Sequence, residues 1–306
     1  MKKLLITGGY GFLGRNICRH FKAKGYSVYG VGFGGVSETE FCEFDYDHWQ
    51  EGSVTFEMLC NLDYQPDIVV HCGGGSSVFF SETEPRSDFV KTVSSTSEIL
   101  EYLRLKSPRS KLIYPSSPAV IGSHGAGLIK VSDKMNPVSS YGWHKKIAEN
   151  LCQQYSNRYG LDVAIIRFFS IYGNGLRKQL LWDACQKLSS GKSMAEFWGT
   201  GEETRDFIHI NDAVKLVEAV ADNSKRNLLV NGATGKSETI RRVLGMLKEF
   251  LSSNVKICFN SKNRLGDPIH YQADISDLSL LPWKPNVSLE VGLKHYADWY
   301  RGETAL

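Results

Sequence analysis

The 306-residue chain lacks several features that would place it in a specialised class of protein. It contains no apolar run near the roughly 20 residues that a membrane-spanning helix needs. Its formal net charge is only +3 and its Lys and Arg residues form no dense block, which disfavours nucleic acid or a membrane as a partner. The opening MKKLLITGG has three apolar residues in a row before two glycines, so we expect no secretory signal there.

The cysteines are too scattered to predict a disulfide framework or a zinc site. Their number is odd and no CxxC pair occurs; they stand at positions 18, 42, 60, 72, 152, 185 and 258. Widely spaced thiols of this kind are typical of reduced cysteines in an intracellular protein. We therefore expect a cytoplasmic protein without a metal site, and the chain is long enough to bury a large core.

Short apolar strands alternate with helical segments in the first 169 residues. Segments such as KKLLIT, YSVYGVG, DIVVHCG and LDVAIIRFF are apolar without polar alternation, which indicates a parallel sheet covered on both faces. We predict an α/β fold with a Rossmann-type, doubly wound parallel sheet, whose ligands bind beyond the carboxyl ends of the strands. The pattern loosens after Phe169 and predicts a smaller, mixed α/β substrate-binding lobe.

The same pattern predicts where the two parts divide. Residues 1–169 with about 212–252 would form the dinucleotide-binding domain, because the strand NLLVNGA and the helix after it can rejoin the sheet. Residues of about 170–211 and 253–306 would form the substrate-binding domain. No low-complexity linker separates them, so we expect the two parts to pack directly on each other.

The segment TGGYGFLG lies between the first strand and a helix with an apolar stripe, as a dinucleotide-binding fingerprint requires. Its glycines allow a tight turn, close approach of a diphosphate and close packing of helix on strand. The predicted cofactor-binding residues are Gly8, Gly11, Phe12, Leu13 and Gly14. The acidic residue that usually ends the second strand is replaced by Gly32, and no Arg follows it, so NAD and NADP both stay open.

Tyr141 and Lys145 stand four positions apart in YGWHK, side by side on one helical face. A nearby ammonium favours the phenolate, so we expect Lys145 to lower the pKa of Tyr141 and allow proton exchange with a substrate alcohol. Ser117 ends a strand in IYPSSPAVIG, where its hydroxyl can bind the substrate oxygen. A hydrolase is disfavoured because Ser117 has no GxSxG context.

Several segments, in order, resemble the extended short-chain dehydrogenase/reductase family, which includes nucleotide-sugar epimerases, dehydratases and ketoreductases. TGGYGFLG resembles TGGxGFxG, PDIVVHCGGGSSV resembles PDxVxHLAAxSSV, SSPAVIG resembles SSxxVYG, and YGWHK matches YxxxK. RFFSIYGNG, GTGEETRDFIHINDAV and RLGDPIHYQADIS resemble three blocks of the substrate half.

The resemblance implies roles for particular residues. Ser117, Tyr141 and Lys145 would be catalytic, with Tyr141 and Lys145 also contacting the cofactor, and Asp45 would contact its adenine. The implied substrate-binding residues are Ser77, Ser117, Ser170, Arg205, Arg264 and Asp267. The two arginines would grip a diphosphate, which guanidinium binds in bidentate fashion. The partner would be a nucleoside-diphosphate sugar, and the chain would form a homodimer.

Departures from the family pattern narrow the expected reaction. Pro118 and Ala119 stand where dehydratases of the family carry an acidic pair, so we do not expect elimination of water. We expect an NAD(P)-dependent oxidoreductase acting at the sugar C4, with net 4-ketoreduction slightly favoured. The alternatives are an NAD-dependent 4-epimerase, a reductase of a non-nucleotide carbonyl, or a non-catalytic dinucleotide-binding protein.

Overall fold

Strands and helices alternate through the first part of the chain. The structure is a computed structural model that describes residues 1–34, 45–125, 127–262 and 269–304. The elements up to the sixth strand are β1 (Lys3–Thr7), α1 (Phe12–Ala23), β2 (Ser27–Gly32), β3 (His48–Glu51), α2 (Phe56–Cys60), β4 (Ile68–His71), α3 (Val78–Thr83), α4 (Pro85–Phe89), a π-helical turn (Val90–Ser94), α5 (Ser95–Lys106), β5 (Lys111–Ser116), a 3₁₀ turn (Pro118–Val120), α6 (Ser140–Tyr159) and β6 (Asp162–Phe168).

The remaining elements are shorter strands and four helices, within the described ranges. They are β7 (Ser170–Tyr172), α7 (Gln179–Leu188), β8 (Met194–Phe197), β9 (Thr204–His209), α8 (Ile210–Asp222), β10 (Leu229–Gly232), β11 (Ser237–Thr239), α9 (Ile240–Phe250), β12 (Lys256–Phe259), a 3₁₀ turn (Ser276–Leu280) and α10 (Leu289–Thr304). None of the helices in these ranges has the length and apolar character needed to cross a bilayer.

Seven of the described strands form one sheet in the order β10-β6-β5-β4-β1-β2-β3. Every neighbouring pair in it is parallel. Leu4, Leu5 and Ile6 of β1 are fully buried, as expected for a central strand with both faces covered. The predicted Rossmann-type α/β fold is confirmed, and the strand order reverses beside β1, where such sheets bind ligands.

The segments after β6 build a second apolar cluster. A three-stranded sheet in the order β11-β9-β7 and the pair β12-β8 accompany it. Representative buried members are Leu181 of α7, Phe197 of β8, Leu244 of α9 and Leu293 of α10. Helix α9 contacts α7 and α10, whereas α8 packs on α1. The division into two domains stays a prediction, and this packing favours ending the returning segment before residue 240.

A buried ion pair fixes helix α6 to the sheet. Arg167 of β6 and Glu149 of α6 are 2% and 4% exposed. The guanidinium binds the carboxylate through Nε at 3.0 Å and Nη2 at 2.8 Å, and its Nη1 donates to the Val131 carbonyl at 3.0 Å. Because both charges have partners, the pair determines where α6 lies on the sheet.

We expect Glu149→Ala to lower the free energy of unfolding by about 3–5 kcal/mol, because Arg167 would stay buried without its partner. A urea titration followed by circular dichroism measures the change. The double variant Glu149→Leu with Arg167→Met should recover most of the loss, since apolar residues of similar volume often match a buried pair.

The partly exposed pair of Lys187 and Asp183, 2.8 Å apart, provides the control. Asp183→Asn should leave the free energy of unfolding nearly unchanged, because solvent screens exposed pairs. An unfolding midpoint of Glu149→Ala equal to that of the unmodified protein would contradict the structural role of the buried pair.

Candidate active site

The glycine segment makes a tight turn between β1 and α1. Gly8 has φ +64°, and a Cβ on it would lie 2.6 Å from the Cys72 carbonyl carbon. The Gly11 amide donates to the Gly8 carbonyl at 2.9 Å, and a Cβ on Gly14 would lie 2.6 Å from that same oxygen. The turn therefore leaves no space for side chains at Gly8 and Gly14.

Helix α1 begins with amide groups that can receive a diphosphate. Gly11 is its N-cap and makes no side-chain cap, and the first amides of a helix have no intrahelical acceptor. The N–H groups of Phe12, Leu13 and Gly14 therefore form the positive end of the helix dipole, which binds anions. These residues fit the diphosphate of a dinucleotide, as the sequence predicted.

The structure contradicts the interpretation of Asp45 as an adenine-binding residue. Asp45 precedes β3, which runs parallel to β2 and pairs Glu51 with Gly32 at the carboxyl edge. The charge of Asp45 acts on Cys18 and on Lys22 in the last turn of α1. It therefore lies toward the edge of the sheet opposite to the glycine segment, because α1 begins beside that segment and runs away from it.

The sequence analysis did not predict β3, which contains charged and polar residues and lies at the edge of the sheet. If His48–Glu51 had been predicted as a strand, the expected contact with adenine would have been placed at Ser53. This exposed residue follows Glu51 at the carboxyl edge, where ligands of such sheets bind.

Ser117, Tyr141 and Lys145 meet at the carboxyl edge of β5. Ser117 follows the last residue of β5 and accepts from the Ala119 amide at 3.2 Å. Its hydroxyl lies close enough to Tyr141, in the first turn of α6, to lower the pKa of the phenol. Lys145 is 6% exposed; its Nζ donates to the Pro115 carbonyl at 3.0 Å and lies 4.8 Å from the centre of the Tyr114 ring. The structure thus brings together the three residues that the sequence placed in one site.

Burial is the largest influence on the pKa values of Tyr141 and Lys145. It raises the pKa of Tyr141 to about 12, against the nearby Ser117 hydroxyl, which lowers it. Burial lowers the pKa of Lys145 to about 8, against the charges of Cys72 and Asp88, which raise it. We expected the Lys145 ammonium to lower the pKa of Tyr141; in the structure the opposing interaction comes from Ser117 instead. Near neutral pH the phenol is protonated and Lys145 is mostly charged.

The first turn of α6 is held by side chains that the sequence did not single out. The amide of Gly142 donates to the Ser139 hydroxyl at 3.2 Å, that of Tyr141 to the Ser81 hydroxyl at 2.9 Å, and that of Ser140 to the Glu82 carboxylate at 2.7 Å. These bonds satisfy the amides that a helix start leaves open. They fix the backbone of Tyr141 and limit its phenol to few positions.

The predicted substrate-binding residues lie on several different elements. Ser77 caps α3 by accepting from the Phe80 amide at 3.2 Å. Ser170 begins β7 just beyond the carboxyl end of β6. Arg205 of β9 donates from Nη1 to the Thr204 carbonyl at 2.9 Å. Arg264 and Asp267 lie outside the described residues. These substrate contacts stay predictions.

Two contacts near the trio were not predicted. Lys178 precedes α7, and its Nζ donates to the Ser76 hydroxyl at 2.9 Å, joining the later segments to the loop after β4. His144 of α6 lies 2.6 Å from the carboxylate of Asp88 in α4. Both pairs join residues more than 50 positions apart, so no local pattern could have indicated them.

Known proteins share this architecture over the full chain. The putative UDP-glucose 4-epimerase of Methanocaldococcus jannaschii is 28% identical over 313 residues, which cover 97% of this chain and 98% of that protein. The UDP-glucuronic acid 4-epimerase of Bacillus cereus, solved with UDP-glucuronic acid and NAD, has a TM-score of 0.86 at 24% identity, covering 98% of this chain and 99% of that one.

A dehydratase has the same fold. The dTDP-glucose 4,6-dehydratase of Streptomyces venezuelae, solved with NAD, has a TM-score of 0.89 at 23% identity, covering 99% of this chain and 98% of that one. The fold alone therefore does not separate epimerisation from dehydration. The family model described as NAD dependent epimerase/dehydratase family matches residues 4–231, which is more than half of the chain. The chain belongs to that family and is an enzyme of the extended short-chain dehydrogenase/reductase type.

Proposed function

We propose that the protein is an NAD-dependent 4-epimerase of nucleoside-diphosphate sugars. The observation that carries the proposal is the meeting of Ser117, Tyr141 and Lys145 at the sheet edge, beside a helix start that can hold a diphosphate. Relatives named as 4-epimerases of UDP-sugars support epimerisation. The slight preference for net 4-ketoreduction that the sequence suggested finds no support among them.

Hydride chemistry needs a cofactor, and the residues present fit a dinucleotide at the Gly8–Gly14 segment. Bound NAD would accept a hydride from the sugar C4 and return it to the opposite face. NAD is proposed because solved structures of the same fold hold it. The end of β2, with Gly32 and then Phe33, offers no basic side chain for the extra phosphate of NADP.

Tyr141 would move the proton of the C4 hydroxyl. During oxidation at C4 the phenolate would take the hydroxyl proton, and during reduction the phenol would return a proton to the same oxygen. Ser117, whose hydroxyl lowers the pKa of that phenol, would donate to the C4 oxygen and hold it in place. The Lys145 ammonium would bind the nicotinamide ribose and favour negative charge on the nearby oxygens.

We propose that Arg205 binds the diphosphate of the substrate. Arg205 lies on β9 with its guanidinium 5.9 Å from the centre of the Tyr271 ring, and its planar fork suits a phosphate. Arg264 and Asp267, which the sequence placed in the same role, are proposed with it. The nucleotide is proposed to be UDP because the relatives act on UDP-sugars.

A homodimer is proposed from an exposed apolar face beside the site. Helix α6 contacts α3, α4 and the π-helical turn, and these elements carry Phe79, Phe89, Val90 and Trp143, which are 78%, 40%, 53% and 48% exposed. Contiguous exposed apolar side chains mark interaction surfaces. Native mass spectrometry should give twice the chain mass of 34.3 kDa, and Trp143→Glu should shift the protein toward monomers. A monomer at micromolar concentration would exclude the dimer.

We expect Tyr141→Phe to lower kcat/KM for interconversion of UDP-glucose and UDP-galactose, or of the corresponding uronic acids, by about 10²–10⁴-fold. The hydroxyl is the only group removed, so NAD binding, followed by tryptophan fluorescence, should persist. Tyr155→Phe is the control, because that hydroxyl of the same helix bonds to Glu101 at 3.1 Å, away from the trio; its activity should stay unchanged.

Two outcomes would overturn this proposal. Full activity of Tyr141→Phe would show that the phenol takes no part in the reaction. Stoichiometric loss of NADH or NADPH absorbance with a UDP-4-keto sugar, without interconversion of the two C4 epimers, would favour the ketoreductase instead.

The pH dependence of kcat/KM should show a rise and then a plateau. Oxidation of the C4 hydroxyl needs the deprotonated phenol, and the pKa of Tyr141 is raised to about 12, so the rate should rise with pH through neutrality. The pKa of Lys145 is lowered to about 8, so above that pH loss of the ammonium offsets the gain in phenolate and the rate should level off. A profile that is flat between pH 6 and about 9 would contradict control by these two groups.

A further inference from the structure

A buried pair of acid and base lies against the catalytic helix. Asp88 of α4 is fully buried, and the side chain of His144 is 12% exposed. The imidazole Nδ1 and the carboxylate Oδ2 are 2.6 Å apart, and the Phe89 ring packs edge-on against the imidazole. His144 stands between Tyr141 and Lys145 in sequence, so the pair connects α4 to the part of α6 that carries the chemistry.

The second oxygen of Asp88 faces the loop that follows β4. Oδ1 is buried and has no hydrogen-bond partner among the described residues, and a Cβ on Gly75 would lie 1.8 Å from it. The Gly75 amide donates to the Thr92 hydroxyl at 2.9 Å and not to Asp88. A buried carboxylate oxygen without a donor is costly, so its retention needs a reason beyond folding.

The same loop brings Asp88 near Lys145. A Cβ on Gly74, the residue before Gly75, would lie 3.7 Å from the Lys145 Nζ. Lys145 itself has a backbone carbonyl and an aromatic ring as neighbours. A buried ammonium with such neutral partners tends to lose its proton. A carboxylate one loop residue away counteracts this.

The other acidic groups that act on Lys145 do not supply that charge. They are Cys72 after β4 and Glu149 and Cys152 of α6. Burial raises the pKa of the Cys72 thiol to about 12 and that of Cys152 still further, so both are neutral near pH 7. The Glu149 charge is matched by Arg167. Within the described part of the chain, the Asp88 carboxylate has only the His144 imidazole as a hydrogen-bond partner. A neutral imidazole donates its N–H without cancelling the charge.

We infer that the Asp88–His144 pair is the counter-charge that keeps Lys145 protonated, and that both are positioning residues for the reaction at Tyr141. The inference rests on the proposed function for its catalytic meaning, but the charge of Lys145 can be measured without turnover. His144 holds the carboxylate toward the Gly74–Gly75 loop. Asp88 keeps the ammonium charged at neutral pH, where Lys145 would hold the nicotinamide ribose.

The test follows the Lys145 side chain by NMR of the full chain labelled with ¹³C at the lysine Cε, its signal assigned by Lys145→Arg. The unmodified protein should titrate near pH 8. Asp88→Asn, which keeps the shape and the acceptor for His144, should lower the midpoint by about one pH unit, as loss of a nearby opposite charge does. The pH at which the kcat/KM profile levels off should fall by the same amount.

A second variant keeps the inference testable if Asp88→Asn does not fold. His144→Phe would leave the buried carboxylate without a donor, so Asp88 should take up a proton and the Lys145 midpoint should fall as well. The double variant should move it no further than either single variant, because both remove one charge.

The control is Asp133→Asn, which removes the acid of another His–Asp pair, in which His124 Nε2 and Asp133 Oδ2 are 3.3 Å apart. It should leave the Lys145 midpoint unchanged. A Lys145 midpoint in folded Asp88→Asn or His144→Phe that equals or exceeds the unmodified value would overturn the inference. A lowered midpoint in a protein without epimerase activity would uphold the charge pair and instead count against the proposed function.

Discussion

The structure of the site depends on the burial of one ammonium group. Lys145 must lie under the loop after β4 to reach the carboxyl edge of β5, and there it meets the Pro115 carbonyl and the Tyr114 ring. Water does not stabilise its charge in this position, so surrounding groups must do so. The buried Glu149–Arg167 pair, the capped start of α6 and the Asp88 carboxylate all bear on where this helix lies and on the charge it carries.

Burial explains why the pKa values of Tyr141 and Lys145 are shifted in opposite directions. Burial disfavours the charged form of each, which raises the pKa of an acid and lowers that of a base. An epimerase needs the same phenol to accept a proton in one half of the reaction and to return it in the other. Ser117 opposes the effect of burial on the pKa of that phenol, and nearby acidic groups oppose it on the pKa of Lys145.

Local sequence patterns predicted the parts of the molecule that are locally determined. The strand before Gly8, the glycine turn and the stripe of α1 depend on residues near one another in sequence, and Tyr141 and Lys145 share one helical turn. The edge strand β3 was missed because its residues show no apolar pattern. The assignment of Asp45 to adenine followed from this omission. A residue that contacts adenine is expected after the carboxyl end of β3, whereas Asp45 lies before its amino end. Pairs such as Asp88 with His144 depend on how α4 meets α6, which no spacing records.

The loop after β4 imposes one more consequence. Gly75 has no side chain, and the space that a methyl group would need is filled by the Asp88 carboxylate. Positions 75 and 88 therefore cannot vary independently: a protein of this fold with alanine at the first would have to shorten, neutralise or turn away the acid at the second. These two positions, thirteen residues apart, would then vary together. A substitution at one of them alone would first change the charge of Lys145.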